Sequence, residues 1–141
     1  MSNDIVDIYN AKLIVYNGNG LDPWADKLKE ELEKKGVVML KMSDHVDALD
    51  NRETEMDPHF WLNPLNMVKE TEVITQALIA IDPAHENDYG KNREAYTQKL
   101  VQLDQEYTQA LAHCAQNTIV TSHNAFNYLA DRYRLKTLYI A

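Results

Sequence analysis

The sequence predicts an α/β chain: parallel-sheet α/β lobes joined by a long linker helix, with only part of each lobe present. Three observations predict it. Short apolar runs of strand length alternate with segments of helical period. A helical stretch of more than fifty residues, Pro64 to Cys114, interrupts that alternation, and the last apolar run, Thr137 to Ile140, stops at the chain end without a turn. The division that follows assigns residues 1–85 to part of an N-terminal lobe, 86–116 to the linker helix and 117–141 to the start of a C-terminal lobe. At 141 residues the chain can bury one ordinary core and is too short for two.

Taken in order, Leu13-Ile14-Val15-Tyr16 reads as a buried strand that runs into Asn17-Gly18-Asn19-Gly20, a loop needing unusual backbone angles. Asp22-Pro23 supplies a cap and a first-turn proline, and Trp24, Leu28 and Leu32 follow at helical spacing until Gly36. Val37 to Leu40 is a second strand, and strand, helix and strand in this order imply a parallel pair. Lys41 to Glu55 is polar, mixed in charge and without period, so it reads as a surface loop. Asn63 and Pro64 then start a helix whose expected buried face is Leu65, Val68, Ile74, Ala77, Leu78 and Ile81, ending at Asp82-Pro83. From Asp88 to Cys114, Tyr96, Leu100, Leu103, Tyr107 and Leu111 recur at steps of four, three, four and four, which predicts one half-exposed helix about 40 Å long at 1.5 Å per residue. Thr118 to Val120 is a strand, Asn124 to Tyr133 a helix and Thr137 to Ile140 a last strand whose abrupt stop suggests truncation.

Composition removes several function classes. Fourteen Lys and Arg against 22 Asp and Glu give a net charge of −8, and a surface that acidic repels phosphate backbones, so nucleic acid is not an expected partner. Cys114 is the only cysteine, which rules out an internal disulfide and a Cys-rich zinc ribbon. Any metal site must use nitrogen and oxygen ligands. No run approaches the roughly 20 apolar residues that span a bilayer. The polar start Met-Ser-Asn-Asp lacks the order of a secretory signal, as a cytoplasmic protein or a trimmed secreted one would.

Two histidines stand where chemistry is expected. His59 lies between Asp57-Pro58 and a capped helix, a rigid setting that can hold an imidazole at fixed geometry for a borderline-soft cation. His123 follows the strand Thr118 to Val120, at the carboxyl end where open α/β sheets place ligands. From position alone, a lone histidine before a helix is more often a capping or packing residue than a ligand. His85 and His113 fall on polar stretches and are expected in solvent, as is His45 beside Asp44 and Asp47. The loop Asn17 to Gly20 lacks the glycine pattern and the Lys-Ser/Thr of a phosphate loop. Ser122 beside His123 lacks a nucleophile elbow and reads as a helix cap or as an outer partner of a metal ligand. Trp24, Phe60, Trp61 and Phe126 are expected in the core.

Longer motifs sharpen this reading. Asp57-Pro58-His59-Phe60-Trp61-Leu62-Asn63-Pro64 resembles the Asp-Pro-His-x-Trp-Leu-x-Pro signature of the metal-specific solute-binding proteins of bacterial ABC importers. Thr121 to Leu129 resembles their second signature, and Ala11 to Gly18 is similar to a third segment of the same family. The resemblance implies two α/β lobes linked by one rigid helix, with a metal held in the cleft by four ligands. His59 and His123 match two of them; the others, a His and an Asp or Glu, would lie before residue 1 and beyond Ala141.

The implied function is an extracytoplasmic receptor, periplasmic or lipid-anchored, that captures Zn²⁺ and delivers it to an ABC importer permease and is not an enzyme. Histidine at position 123 leans toward zinc over Mn²⁺, since imidazole suits zinc and manganese prefers oxygen. The loop ahead of the first signature holds only His45, so it is not expected to collect metal. The alternatives are a zinc-dependent hydrolase using the same pair and a surface adhesin. Incomplete lobes would expose strand edges, so a dimer or an exchange of elements between chains is expected.

Overall fold

The structure, a computed structural model, describes residues 3–49 and 57–140. It contains two small parallel sheets. In the first, β1 (Leu13–Tyr16) pairs with β2 (Val38–Lys41), Leu13 opposite Val38 and Tyr16 opposite Lys41. Helix α2 (Pro23–Lys34) connects them. In the second, β3 (Thr118–Thr121) pairs with β4 (Lys136–Tyr139) around α5 (Asn127–Tyr133). Between the sheets run α3 (Pro64–Ile81) and the 26-residue α4 (Glu86–Leu111), packed against each other. The parallel pairing follows from one crossover helix in each unit, since parallel neighbours cannot be joined by a tight turn.

Local signals placed most elements to within a few residues. Asn63 accepts the Leu65 N–H at 2.9 Å and Pro64 takes the first turn, so α3 starts where the cap chemistry puts it. Gly18, Asn19 and Gly20 have φ of 81°, 49° and 83°, and a Cβ on Gly18 would collide with Lys41 and Ser43. Helix α1 (Asn3–Asn10) was not anticipated. Lys41, read as loop, closes β2, and Met42–Asp44 forms a 3-10 turn with Met42 buried. The rest of that loop is described only to Leu49, and residues 50–56 lie outside the described residues. Helix α5 begins three residues later than expected, because the bend at Ser122 to Asn124 runs on through Ala125, whose N–H donates to the His123 carbonyl, to Phe126 without helical bonding.

The expected buried face of α3 is corrected. The residues that disappear from solvent are Pro64, Asn66, Glu70 and Thr75, whereas Leu65, Val68, Ile74, Ala77 and Leu78 are half-buried and Ile81 is exposed. The helix packs on α4 on one side and approaches β1 and β2 on another, so burial is set by two neighbours and not by one apolar stripe. On α4 only Leu100 of the predicted stripe is fully buried. Asp104 joins it because Arg132 binds its carboxylate in a two-bond fork at 2.8 and 2.7 Å and the Tyr133 hydroxyl adds a third bond. The core proper gathers Met42, Phe60 and Tyr128, with Leu40, Val46, Leu49, Val73 and Ile74 around them. Trp24 and Phe126, expected inside, are exposed, and Trp61 is half-buried.

Glu70 makes the first testable consequence. Among the described residues its Oε1 has no hydrogen-bond partner, and burial pushes the carboxyl up to about 7 from 4.5. Between those values the folded state holds more protons than the unfolded one, so stability falls as pH rises through that window. Urea unfolding at about pH 5 and about pH 8 should show Glu70→Gln gaining on the order of 2 kcal/mol relative to the parent at the higher pH. An identical pH dependence in both proteins would refute it.

Candidate metal centre

His59 is held from both directions. Upstream, the Asn17 side-chain amide donates to the Pro58 carbonyl at 3.1 Å, which ties the residue before the histidine to the loop after β1. Downstream, the Leu62 N–H donates to the His59 carbonyl and begins the 3-10 turn Phe60–Leu62. Phe60 is fully buried, and its carbonyl accepts from the Asn66 amide at 3.1 Å. A core anchor one residue away therefore fixes the backbone that carries the imidazole.

The ring is oriented by Asp57. One carboxylate oxygen of Asp57 accepts from the His59 backbone N–H at 3.0 Å and lies 2.7 Å from His59 Nδ1. A carboxylate can only accept, so Nδ1 carries the proton and the lone pair of neutral His59 is on Nε2. The other oxygen accepts from the Asn127 amide at 2.9 Å. Asp57 is buried and fully bonded, in the role that carboxylates play behind metal-bound histidines.

His123 comes from the other sheet. It follows β3 in a bend where its carbonyl accepts from the Thr121 hydroxyl at 2.8 Å and from the Ala125 N–H at 2.9 Å, and its side chain reaches toward His59. The two Nε2 atoms are 3.3 Å apart, with ring centroids at 5.1 Å and planes at 76°. Two nitrogens at about 2.0–2.1 Å from one tetrahedral ion stand about 3.3–3.4 Å apart. The separation thus equals that of two imidazoles sharing one ion. Trp61 also lies against the His59 ring, at 5.3 Å between centroids with the planes tilted by 54°.

The remaining candidates are elsewhere. His45, His85 and His113 are exposed, and His85 is bound to Asp82 at 2.8 Å. Among the described residues no group of three or more His, Cys, Asp or Glu side chains could hold a metal. Asp22 does not cap α2 with its side chain. It accepts the N–H groups of Asn17 and Gly18 instead, filling with a carboxylate the place a phosphate would need. Ser122 is exposed, and the helix it was expected to cap starts at Asn127 behind Phe126. Asp57 and Asn127 escaped the sequence reading. Asp57 could have been found from its place two residues before His59, but nothing local marks Asn127.

The ZnuA family model, described as zinc-uptake complex component A, periplasmic, matches residues 1–141. The chain belongs to the ZnuA family. That family consists of metal-binding transport receptors and not of enzymes, so the hydrolase alternative finds no support in it. Among ZnuA-family relatives, the zinc-binding lipoprotein AdcA of Streptococcus pneumoniae is 34% identical over 97% of this chain and 30% of its own length. The iron-binding protein YfeA of Yersinia pestis is 35% identical over 97% of this chain and 45% of its own. The manganese ABC transporter substrate-binding lipoprotein PsaA of Streptococcus pneumoniae is 35% identical, with 97% and 48% covered. The crystal structure of Zn(II)-bound AdcA superposes with a TM-score of 0.89 at 35% identity, covering 100% of this chain and 31% of that one. The chain therefore spans between about a third and a half of the length of these relatives. Its α/β architecture of small parallel sheets and one long helix is part of the ZnuA fold.

Proposed function

We propose that this chain supplies half of the metal cleft of an extracytoplasmic receptor that captures Zn²⁺ and delivers it to the permease of an ABC importer. The observation that carries the reading is the 3.3 Å approach of His59 Nε2, ahead of the 3-10 turn Phe60–Leu62, to His123 Nε2, just after β3. The first sheet and α3 support an N-terminal lobe at 1–85, α4 a linker at 86–116 and the second sheet the start of a C-terminal lobe at 117–141. His59 and His123 would each give the ion one neutral nitrogen, replacing two waters of its shell. On this reading the other two ligands would lie outside residues 1–141, as the motif resemblance implies. The names of the relatives, AdcA and PsaA both called lipoproteins, support a place outside the cytoplasmic membrane. The dimer expected from incomplete lobes has no support in these comparisons.

Zinc is favoured among the three metals for which relatives are named because both donors here are imidazoles. Affinity for such nitrogen sites rises from Mn²⁺ through Fe²⁺ and is higher for Zn²⁺. Competition titration of the full-length protein should show one Zn²⁺ bound per chain and Zn²⁺ displacing Mn²⁺ and Fe²⁺. Manganese or iron holding its place against equimolar zinc would overturn the zinc assignment, and failure of all three to bind would overturn the receptor.

A further inference from the structure

We infer that Asn127 is a positioning residue for the metal, holding His59 in place from the opposite side of the cleft. This rests on the ligand assignment proposed above. Asn127 is the first residue of α5, in the unit built on the second sheet, yet its amide donates to Asp57 Oδ2 at 2.9 Å. Its own oxygen accepts from the Thr137 hydroxyl of β4 at 3.0 Å. The result is one continuous chain of hydrogen bonds, Thr137 to Asn127 to Asp57 to His59 Nδ1, crossing from the second sheet to the ligand of the first unit.

The direction of every bond in this chain is determined. The Asp57 carboxylate can only accept, so the amide N–H₂ faces it, which excludes the flipped amide and leaves the amide oxygen to accept from the Thr137 hydroxyl. The carboxylate then has one oxygen engaged by Asn127 and the other free for both donors of His59. Asp57 is buried, so no bulk water is at hand to replace a lost donor. With Asn127 gone, the carboxylate can rotate about its own side-chain bonds, and the imidazole it aims rotates with it. Because Asn127 moves with the second sheet, displacement of that unit would slacken the grip on His59 at the moment His123 withdraws. Opening of the cleft would thereby weaken two ligands together.

The test is the rate at which the full-length protein gives up Zn²⁺ to a chelator in excess. Asn127→Ala should release zinc roughly tenfold faster, at the low end of the 10–100-fold seen when outer partners of metal ligands are removed. A role exercised through Asp57 requires the effect to vanish in an Asp57→Ala background, a non-additivity that a general loosening of α5 would not produce. Should Asn127→Ala not fold, Asn127→Leu, close in size and without a donor, is read in its place. A parent-like release rate, or the same fold-change in both backgrounds, overturns the role of Asn127 while leaving the ligands intact. Unaltered zinc binding by His59→Ala and by His123→Ala would instead bring down the ligand assignment and this inference with it.

Discussion

Replacing His59 and His123 together by alanine in the full-length protein is expected to weaken Zn²⁺ binding far more than the 10–100-fold that loss of an outer partner costs, with calorimetry or chelator competition as the measurement. On the proposed ligand assignment each substitution removes a bond to the ion itself. Their effects should also fail to add. If the two rings, their Nε2 atoms 3.3 Å apart, share one ion as proposed, the first alanine already disorders the geometry the second imidazole depends on. The single variants should therefore each account for most of the loss. His123 is exposed, and His123→Ala should leave the thermal midpoint of the metal-free protein within about 2 °C, because surface substitutions away from caps and buried networks change stability by roughly 0.5 kcal/mol or less. A double variant that keeps its affinity within about tenfold of the parent would show that the ion is held elsewhere.

Phe60→Ala should have the largest effect on stability, about 3–5 kcal/mol, or a fall in thermal midpoint on the order of 10 °C. The ring is fully buried and meets Tyr128 of α5 edge to face at 6.3 Å, with Met42 in the same cluster. Its removal leaves a cavity where the first sheet's neighbourhood joins α5, and the position next to His59 loses its anchor. Phe126→Ala is the matched control. At 36% exposed that ring has little burial to forfeit, and about 1 kcal/mol or less is expected. Equal shifts for the two phenylalanines, read by differential scanning fluorimetry, would contradict the assignment of the core.

The elements were legible wherever a signal acts within a few residues. Asn63-Pro64 begins α3 and Gly18 to Gly20 turns the chain after β1, as their cap and backbone preferences require. Burial was less legible. Trp24 and Phe126 are large and apolar yet exposed, while Asn66, Glu70, Thr75 and Asp104 are buried, because a side chain's surroundings depend on which neighbours arrive. Apolar character alone could not tell that α3 meets α4 and the first sheet on two flanks. Asp104 is tolerated inside only because Arg132 and Tyr133 come from α5 to bind it.

At the site the same boundary holds. The sequence by itself singled out His59 and His123 as the candidates, since they stand in motifs whose caps, proline and strand end hold them rigid. It also determined the strands and helices that carry them. Only the tertiary structure decided that their Nε2 atoms meet at 3.3 Å, that Asp57 faces Nδ1 and that Asn127 reaches across to Asp57. The physical reason is range. Caps, turns and helical period are set by interactions among neighbours along the chain, whereas the contact between residues 59 and 123 joins groups 64 positions apart. No local preference encodes such a contact, and it forms only when the packing of α3 against the first sheet and of α5 against α4 brings the two ends of the site together.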